Sequence, residues 1–121
     1  MPDAGGSYFM PRLIGSARAL GLALLAEPVD ARTAAQWGLI WKAVADSDFP
    51  AAIESAAQKL AQLPTAAVAL TKQALNASGH HSLEQQLALE AELQGQAAET
   101  EDFFEGVSAF LEKRGPRFIG R

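Results

Sequence analysis

The sequence predicts a mainly helical fold that contains one short strand. Ala occupies 25 of the 121 positions, and Ala is the residue that enters a helix at the lowest free-energy cost. Apolar residues recur at steps of three and four along several segments, as on one face of an α-helix. Helix-capping residues, Gly and Pro separate these segments. We therefore expect a series of helices in a single compact unit, without internal repeats or a long linker.

The first two predicted helices are short. Tyr8–Met10 indicates a helix that is interrupted at Pro11, because Pro lacks the backbone N–H that a helix interior needs. Ser16 has a side chain suited to cap a second helix over residues 17–26. Both predictions depend on local signals alone.

A third helix and the only predicted strand follow. Asp30 is placed as the N-cap of a helix over Ala31–Trp37, and Gly38 as its left-handed exit residue. Leu39–Val44 is short and rich in β-formers, which favours a strand. A strand needs a neighbour, and no second one is evident in the sequence.

Two further helices are predicted after this segment. Asp48 and Pro50 are typical of a helix start. Pro64 ends that helix, and Thr65–Asn76 reads as the next one.

The last two helices carry the clearest signals. Ser82 and Gln85 have capping-box spacing and begin a helix that runs to about Glu99. Thr100 caps the final helix, whose last turn is predicted to include the basic residues Lys113 and Arg114. Its apolar stripe, predicted to face a core, consists of Phe103, Val107, Phe110 and Leu111.

Composition argues against several classes of function. The formal net charge is −4 without a basic block, so we expect no nucleic-acid partner. The absence of Cys excludes disulfides, thiol catalysis and thiolate metal sites. No run approaches the ~20 apolar residues of a membrane span, and we expect a cytoplasmic protein. His80 and His81 lie in a predicted loop without spaced acidic neighbours, so we predict no metal site.

Four stretches, in order, resemble the enoyl-CoA hydratase/isomerase (crotonase) family. The first, Met-Pro-Asp-Ala-Gly-Gly-Ser, is similar to the family's loop I-P-x-x-G-G-T, and the second, Leu-Ile-Gly-Ser-Ala-Arg-Ala, to L-x-G-x-A-x-A. The third ends in Trp-Gly-Leu-Ile, and the fourth reads Asp-Phe-Phe-Glu-Gly-Val-Ser-Ala-Phe-Leu-Glu-Lys-Arg-Gly-Pro. These stretches are residues 1–7, 13–19, 28–40 and 102–116. The resemblance spans the whole chain.

The resemblance implies that the chain is the C-terminal helical portion of a crotonase fold. Family members carry a preceding spiral of ββα turns, which supplies the oxyanion-hole donors and, in hydratases, both catalytic glutamates. The sequence opens on a turn with no element before it, so we expect that spiral to be missing and the chain alone to be inactive. We predict that residues 1–48 are the end of the core and residues 49–121 a C-terminal helical oligomerisation region.

Asp3 is the candidate catalytic residue. By resemblance, an Asp at this place in the loop is typical of the isomerase branch, where the carboxylate moves protons on the acyl-CoA, and the wider pattern is similar to epoxyphenylacetyl-CoA isomerases of phenylacetate degradation. A carboxylate in an apolar pocket can do this near neutral pH. Two alternatives remain open: an Asp before Ala-Gly-Gly can cap the following helix, and dehalogenase relatives use an Asp in this part of the chain as a nucleophile.

Phe110 and Lys113 are the candidate CoA-binding residues. In the family's closing motif, the corresponding residues lie near the adenine end of CoA, and an ammonium suits its 3′-phosphate. The alternatives are a Phe on a core stripe and a Lys that favours the helix dipole. CoA is part of the substrate here, and no separate cofactor is expected.

Two functions of different classes therefore follow from the sequence. The first is part of an acyl-CoA isomerase or hydratase. The second is a non-catalytic helical association module. Helices with wide apolar faces expose contiguous apolar surface unless they associate, so both hypotheses predict a homo-oligomer.

Overall fold

A computed structural model describes all residues, 1–121, and every regular element in it is helical. The seven α-helices are α1 (Gly6–Ile14), α2 (Ser16–Leu25), α3 (Ala31–Trp37), α4 (Phe49–Ala61), α5 (Thr65–Ser78), α6 (Leu83–Ala98) and α7 (Glu101–Leu111), and a 3₁₀ turn (Asp46–Asp48) precedes α4. None of these helices combines the length and the apolar character that crossing a membrane requires. The prediction of a mainly helical fold is confirmed.

The chain separates into two compact units, Met1–Ala52 and Ile53–Arg121. The division falls within α4, a few residues after the predicted boundary at residues 48 and 49. From the sequence we expected a single compact unit, whereas the contacts of the chain form two. The roles assigned to the two parts stay predictions.

The predicted strand over Leu39–Val44 is wrong. This segment has bends and no regular structure. A strand exists only where a second extended backbone pairs with it, and the other regular elements of the chain are helices. The β-forming side chains alone therefore did not create a strand.

In the first unit, α1 packs against α2, and a single residue, Gly15, joins the two helices. Pro11 lies inside α1 instead of interrupting it, so the helix continues although Pro removes one of its hydrogen bonds. The N–H of Gly15 still bonds to the Pro11 carbonyl at 3.1 Å. The cap predicted at Ser16 is also wrong: Gly15 holds the N-cap position, and Ser16 is the first helical residue.

Helix α3 confirms its predicted limits. The Asp30 carboxylate accepts hydrogen bonds from the backbone N–H groups of Arg32 and Thr33 at 2.9 and 3.0 Å. The Thr33 hydroxyl donates a further bond to it, and these bonds lower the pKa of Asp30, the Thr33 hydroxyl most. Gly38 ends α3 in the left-handed conformation with φ 82°.

In the second unit, α5 packs against α6, and α6 contacts α7. The predicted capping box is present: the Ser82 hydroxyl accepts from the Gln85 N–H, and the Gln85 side chain accepts from the Ser82 N–H. The Gln86 side chain links α6 to α5 by donating to the Ala74 carbonyl at 3.0 Å. Thr100 caps α7 as predicted, accepting from the Phe103 N–H.

The apolar stripe of α7 is not a core stripe within this chain. Its four members, Phe103, Val107, Phe110 and Leu111, are all exposed. Only Asp102 and Ala109 of α7 are buried. The spacing predicted the apolar face correctly, but it did not predict that the face is left exposed.

The chain as a whole leaves an unusual area exposed to solvent. Six residues are buried: Ile14, Ala19, Ala34, Leu93, Asp102 and Ala109. The solvent-accessible surface is 9514 Å², whereas even two separate compact domains of these lengths would together expose only about 7,600 Å². The surplus is largely apolar, because 21 large hydrophobic residues are exposed.

Candidate functional site

The loop that carries Asp3 forms a tight turn before α1. The Asp3 carbonyl accepts a hydrogen bond from the Gly6 N–H at 2.7 Å. Ala4 and Gly5 both have positive φ, at 47° and 87°. This backbone directs the chain into α1, whose N-cap is Gly5.

Gly5 is required by this turn for two reasons. Its φ of 87° is rarely adopted by residues with a side chain. A Cβ at this position would also lie 2.9 Å from Cε2 of Phe9, closer than carbon atoms approach. The Gly-Gly pair therefore has a structural reason in addition to any functional one.

The Asp3 side chain takes no part in capping α1. Helix α1 has no side-chain cap, so the alternative of a capping Asp is wrong, and only the main-chain carbonyl of Asp3 accepts a bond from the Gly6 N–H. The side chain is exposed, and every ion pair of the chain involves Arg114 or Arg121 and leaves Asp3 out. The turn thus presents a carboxylate without an internal partner.

At the other end of the chain, Phe110 lies at the edge of an apolar cavity. The cavity has a volume of about 380 Å³, and its lining includes Phe103, Val107, Phe110, Leu111 and Phe118. Phe110 itself is 82% exposed. The alternative of a buried core Phe is therefore wrong for this chain, and the ring is available for contact with a ligand or another polypeptide.

Lys113 lies beyond α7 and not in its last turn, because α7 ends at Leu111. The chain turns there through a Schellman motif. The Lys113 N–H donates to the Phe110 carbonyl at 3.3 Å, and the Arg114 N–H donates to the Ala109 carbonyl at 3.0 Å. Lys113 has φ 56°, so a Lys stands where Gly is usual.

Glu105 holds the turn that contains Lys113. Its two carboxylate oxygens accept hydrogen bonds from Nη1 and Nη2 of Arg114 at 2.6 and 2.9 Å. Oε1 also accepts from the Arg117 N–H at 2.7 Å. These bonds, the Arg114 side chain first, lower the pKa of Glu105 to about 2. The same pairing raises the pKa of Arg114.

Asp102 holds the C-terminal tail. Its Oδ1 and Oδ2 accept hydrogen bonds from the Ile119 and Gly120 N–H groups at 2.7 and 2.8 Å, and its own N–H donates to the Arg121 carbonyl at 3.0 Å. With 3% of its surface exposed, it is the chain's buried charged residue. No local sequence signal connects Asp102 with these residues, which lie 17 and 18 positions later.

The candidate residues fall into two groups. Asp3 belongs to the first unit, and Phe110 and Lys113 belong to the second, at the end of α7. His80 and His81 are exposed after α5, where Nδ1 of His81 lies 3.2 Å from the Gln86 side-chain oxygen. Neither His joins a group of potential metal ligands.

Comparison with known proteins connects these features with a family. The family model described as enoyl-CoA hydratase/isomerase matches residues 1–121. A Rhodobacter capsulatus protein named "Probable enoyl-CoA hydratase" is 53% identical over the whole chain, which covers 47% of that protein. The 1,2-epoxyphenylacetyl-CoA isomerase of Escherichia coli is 44% identical over the whole chain, which covers 46% of it. The chain thus spans about half the length of these relatives.

Solved structures agree with this match. The enoyl-CoA hydratase of Bacillus anthracis superposes with a TM-score of 0.91 at 32% identity, over 100% of this chain and 47% of that one. A second one from Geobacillus kaustophilus superposes with a TM-score of 0.94 at 33% identity, over 100% of this chain and 47% of that one. Sequence and fold lead to the same conclusion: the chain belongs to the enoyl-CoA hydratase/isomerase family.

Proposed function

We propose that the chain is the C-terminal part of an acyl-CoA isomerase or hydratase, in which Asp3 moves protons and Phe110 and Lys113 contact CoA. The observation that carries this proposal is the unpartnered Asp3 carboxylate on a turn that its own backbone holds. A general acid or base must be free to exchange its proton with the substrate. Membership of a family that acts on CoA thioesters supplies the substrate class.

The isomerase branch accounts better for Asp3 than the hydratase branch does. In the family resemblance, hydratases often have a small residue at this place in the loop, and their two catalytic glutamates belong to other segments. The 44% identity with the E. coli 1,2-epoxyphenylacetyl-CoA isomerase supports a related acyl group. The higher identity with the R. capsulatus protein keeps hydratase chemistry as the competing assignment.

We expect the chain alone to be inactive. Stabilising a thioester enolate requires preorganised hydrogen-bond donors aimed at the developing negative oxygen. The Asp3 carboxylate is exposed to water, and water weakens the electrostatic interactions on which such chemistry depends. A carboxylate without those donors has no stabilised enolate from which to transfer a proton.

A chimera tests the role of Asp3. The matched 47% of the R. capsulatus protein would be replaced by this chain, and isomerisation of a 3-enoyl-CoA and hydration of crotonyl-CoA would both be measured. We expect Asp3→Asn to lower kcat for isomerisation by ~100-fold or more, the usual contribution of a general acid or base, with little change in KM. The matched control is Asp46→Asn, an exposed carboxylate of the same unit.

Three outcomes of this experiment would each contradict one part of the proposal: the role of Asp3, the preference for isomerase chemistry, or the expected inactivity of the chain alone. Full isomerisation activity in Asp3→Asn would exclude the proton-transfer role. A chimera that hydrates crotonyl-CoA and isomerises nothing would favour hydratase chemistry. Turnover by the unfused chain, lost in Asp3→Asn, would show that the chain needs no further segment.

The second candidate function is a non-catalytic module for association between copies of the chain. The surplus exposed surface favours it: about 1,900 Å² beyond two compact domains is the amount that one partner buries in a large obligate interface. Light scattering at micromolar concentration would measure the mass in solution. A mass of one chain would contradict association, whereas a stable oligomer without CoA binding would favour the module over the enzyme part.

A further inference from the structure

Lys113 adopts a backbone conformation that is unfavourable for its side chain. Its φ is 56°, in the left-handed region that costs a residue with a Cβ roughly 1–2 kcal/mol. This position of a Schellman motif is usually Gly, which has no such cost. Contacts from another residue of α7 help to hold this turn against that cost.

Glu105 supplies them from about two turns earlier, within α7. It binds the guanidinium of Arg114, the residue after Lys113, and the N–H of Arg117, three residues further on. The backbone N–H of Arg114 is in turn bonded to the Ala109 carbonyl. The segment 112–117 is thus fastened to α7 on the C-terminal side of Lys113.

Lys113 itself is left free by this arrangement. It is exposed, and the ion pairs of the chain use Arg114 and Arg121 as their cations. A cation whose backbone is fixed in advance binds an anion at a lower ordering cost than one on a mobile loop. If the turn served only to end α7, Gly at position 113 would form it with less strain.

We propose that Glu105 is a positioning residue that acts through Arg114 and the Arg117 amide to hold Lys113 ready for a phosphate group. This inference rests on the proposed function, in which Lys113 contacts CoA. The phosphate in question is the 3′-phosphate at the adenine end, and the recognition is that of an ammonium for a phosphate dianion.

The test compares two ligands that differ only in this group. Dissociation constants for CoA and 3′-dephospho-CoA would be measured by NMR titration of the ¹⁵N-labelled chain, and their ratio gives the phosphate preference. A substitution that weakens the binding of both ligands equally leaves this ratio unchanged. We expect a preference of about five-fold in the unmodified chain, the size of one exposed charge pair, and none in Lys113→Ala.

Glu105→Gln is the decisive variant, and Glu112→Gln is its matched control. Glu112 also pairs with Arg114, at 2.6 Å, but its side chain is 62% exposed, and it makes no bond to residue 117. We expect Glu105→Gln to abolish most of the phosphate preference and Glu112→Gln to retain it. In the double variant Glu105→Gln/Lys113→Ala, the ratio should equal that of Lys113→Ala alone.

Hydrogen exchange provides a readout that does not depend on CoA. Glu105→Gln should accelerate exchange of the Arg114 amide more than Glu112→Gln does, because Glu105 binds both the Arg114 side chain and the Arg117 amide, whereas Glu112 binds Arg114 alone. A preference for CoA that survives in Glu105→Gln would overturn the positioning role while leaving the Lys113 contact intact. Equal affinities, or no binding of either ligand, in the unmodified chain would instead overturn the Lys113 contact itself.

Discussion

The loop before α1 and the tail after α7 differ in whether carboxylate side chains hold them in place. In the first, the Asp3 carbonyl holds the turn and the carboxylate stays exposed. In the second, the carboxylates of Asp102 and Glu105 on α7 accept hydrogen bonds from backbone N–H groups of the tail and from the Arg114 side chain. Both segments lack regular structure, yet only one of them is held by side-chain charge.

The difference teaches how to separate structural acids from candidate catalytic ones in this chain. A carboxylate that accepts two or three hydrogen bonds favours its charged form and resists protonation, as the lowered pKa of Glu105 shows. Such a group is poorly suited to carry a proton. Asp3, which the family resemblance selects as the catalytic candidate, makes no such bonds with its side chain.

The largest expected effect tests the structural side of this comparison. Asp102→Ala leaves the N–H groups of Ile119 and Gly120 without their acceptor, at a site where Asp102 is 3% exposed. We expect it to lower the free energy of unfolding by about 3 kcal/mol, measured by urea denaturation followed by circular dichroism. Asp3→Ala is the matched control and should change it by less than about 0.5 kcal/mol. Equal effects of the two substitutions on the free energy of unfolding would contradict the distinction between a structural Asp102 and an uncommitted Asp3.

Gly120 provides a second test of how the tail is held, because the tail approaches α5 at this residue. Its φ is 87°, and an added Cβ would lie 3.0 Å from the Thr65 hydroxyl. We expect Gly120→Ala to cost about 1–2 kcal/mol of unfolding free energy. Gly95→Ala, inside α6 with no atom within 4 Å, should instead stabilise the chain by about 0.5–1 kcal/mol. A neutral Gly120→Ala would mean that the tail is not held at this point.

Lys113→Gly should change the free energy of unfolding less than Gly120→Ala does, and should raise it. It relieves the strain of a left-handed Lys at φ 56°. It also stabilises the unfolded state, because Gly gains more conformational entropy on unfolding than Lys does. The balance predicts a gain of about 0.5–1 kcal/mol, measured as a higher thermal midpoint. A loss of stability would show that the Lys side chain contributes contacts that offset its strain.

The smallest effect is a dependence on pH. The pKa of Glu105 is lowered from 4.5 to about 2, so its bonds stabilise the fold fully above pH 4.5 and progressively less as the pH falls toward about 2. Glu105→Gln removes this contribution. The thermal midpoint of the unmodified chain should therefore exceed that of Glu105→Gln at pH 6, and the gap should narrow at pH 3. If the difference between the two thermal midpoints were the same at pH 6 and pH 3, the charge of Glu105 would not contribute to stability.

Sequence patterns predicted the elements whose signals are local. The Asp30 cap, the Ser82–Gln85 capping box and the Thr100 cap each join residues at most three positions apart. The strand over Leu39–Val44 failed because strand pairing depends on a distant backbone. The interpretation of Phe110 as a buried core residue was wrong for a related reason. A helical stripe shows which face is apolar, but it does not show what covers that face.

The candidate site shows the same limit. Asp3 and Lys113 were selected from motifs, but the contacts that hold the tail beside Lys113 were not predicted. Nothing near Asp102 indicates that it binds the amides of Ile119 and Gly120, and nothing near Glu105 indicates Arg117. These contacts arise from the path of the tail, which no periodicity encodes.

The large exposed surface also has a consequence for how the chain responds to temperature. Unfolding exposes roughly a fifth less new surface than it would for two compact domains of these lengths, and the deficit is mainly apolar. The heat-capacity increment of unfolding scales with newly exposed apolar area. Calorimetry of the isolated chain should therefore give a small increment for its length and a curve of stability against temperature with a broad, low maximum.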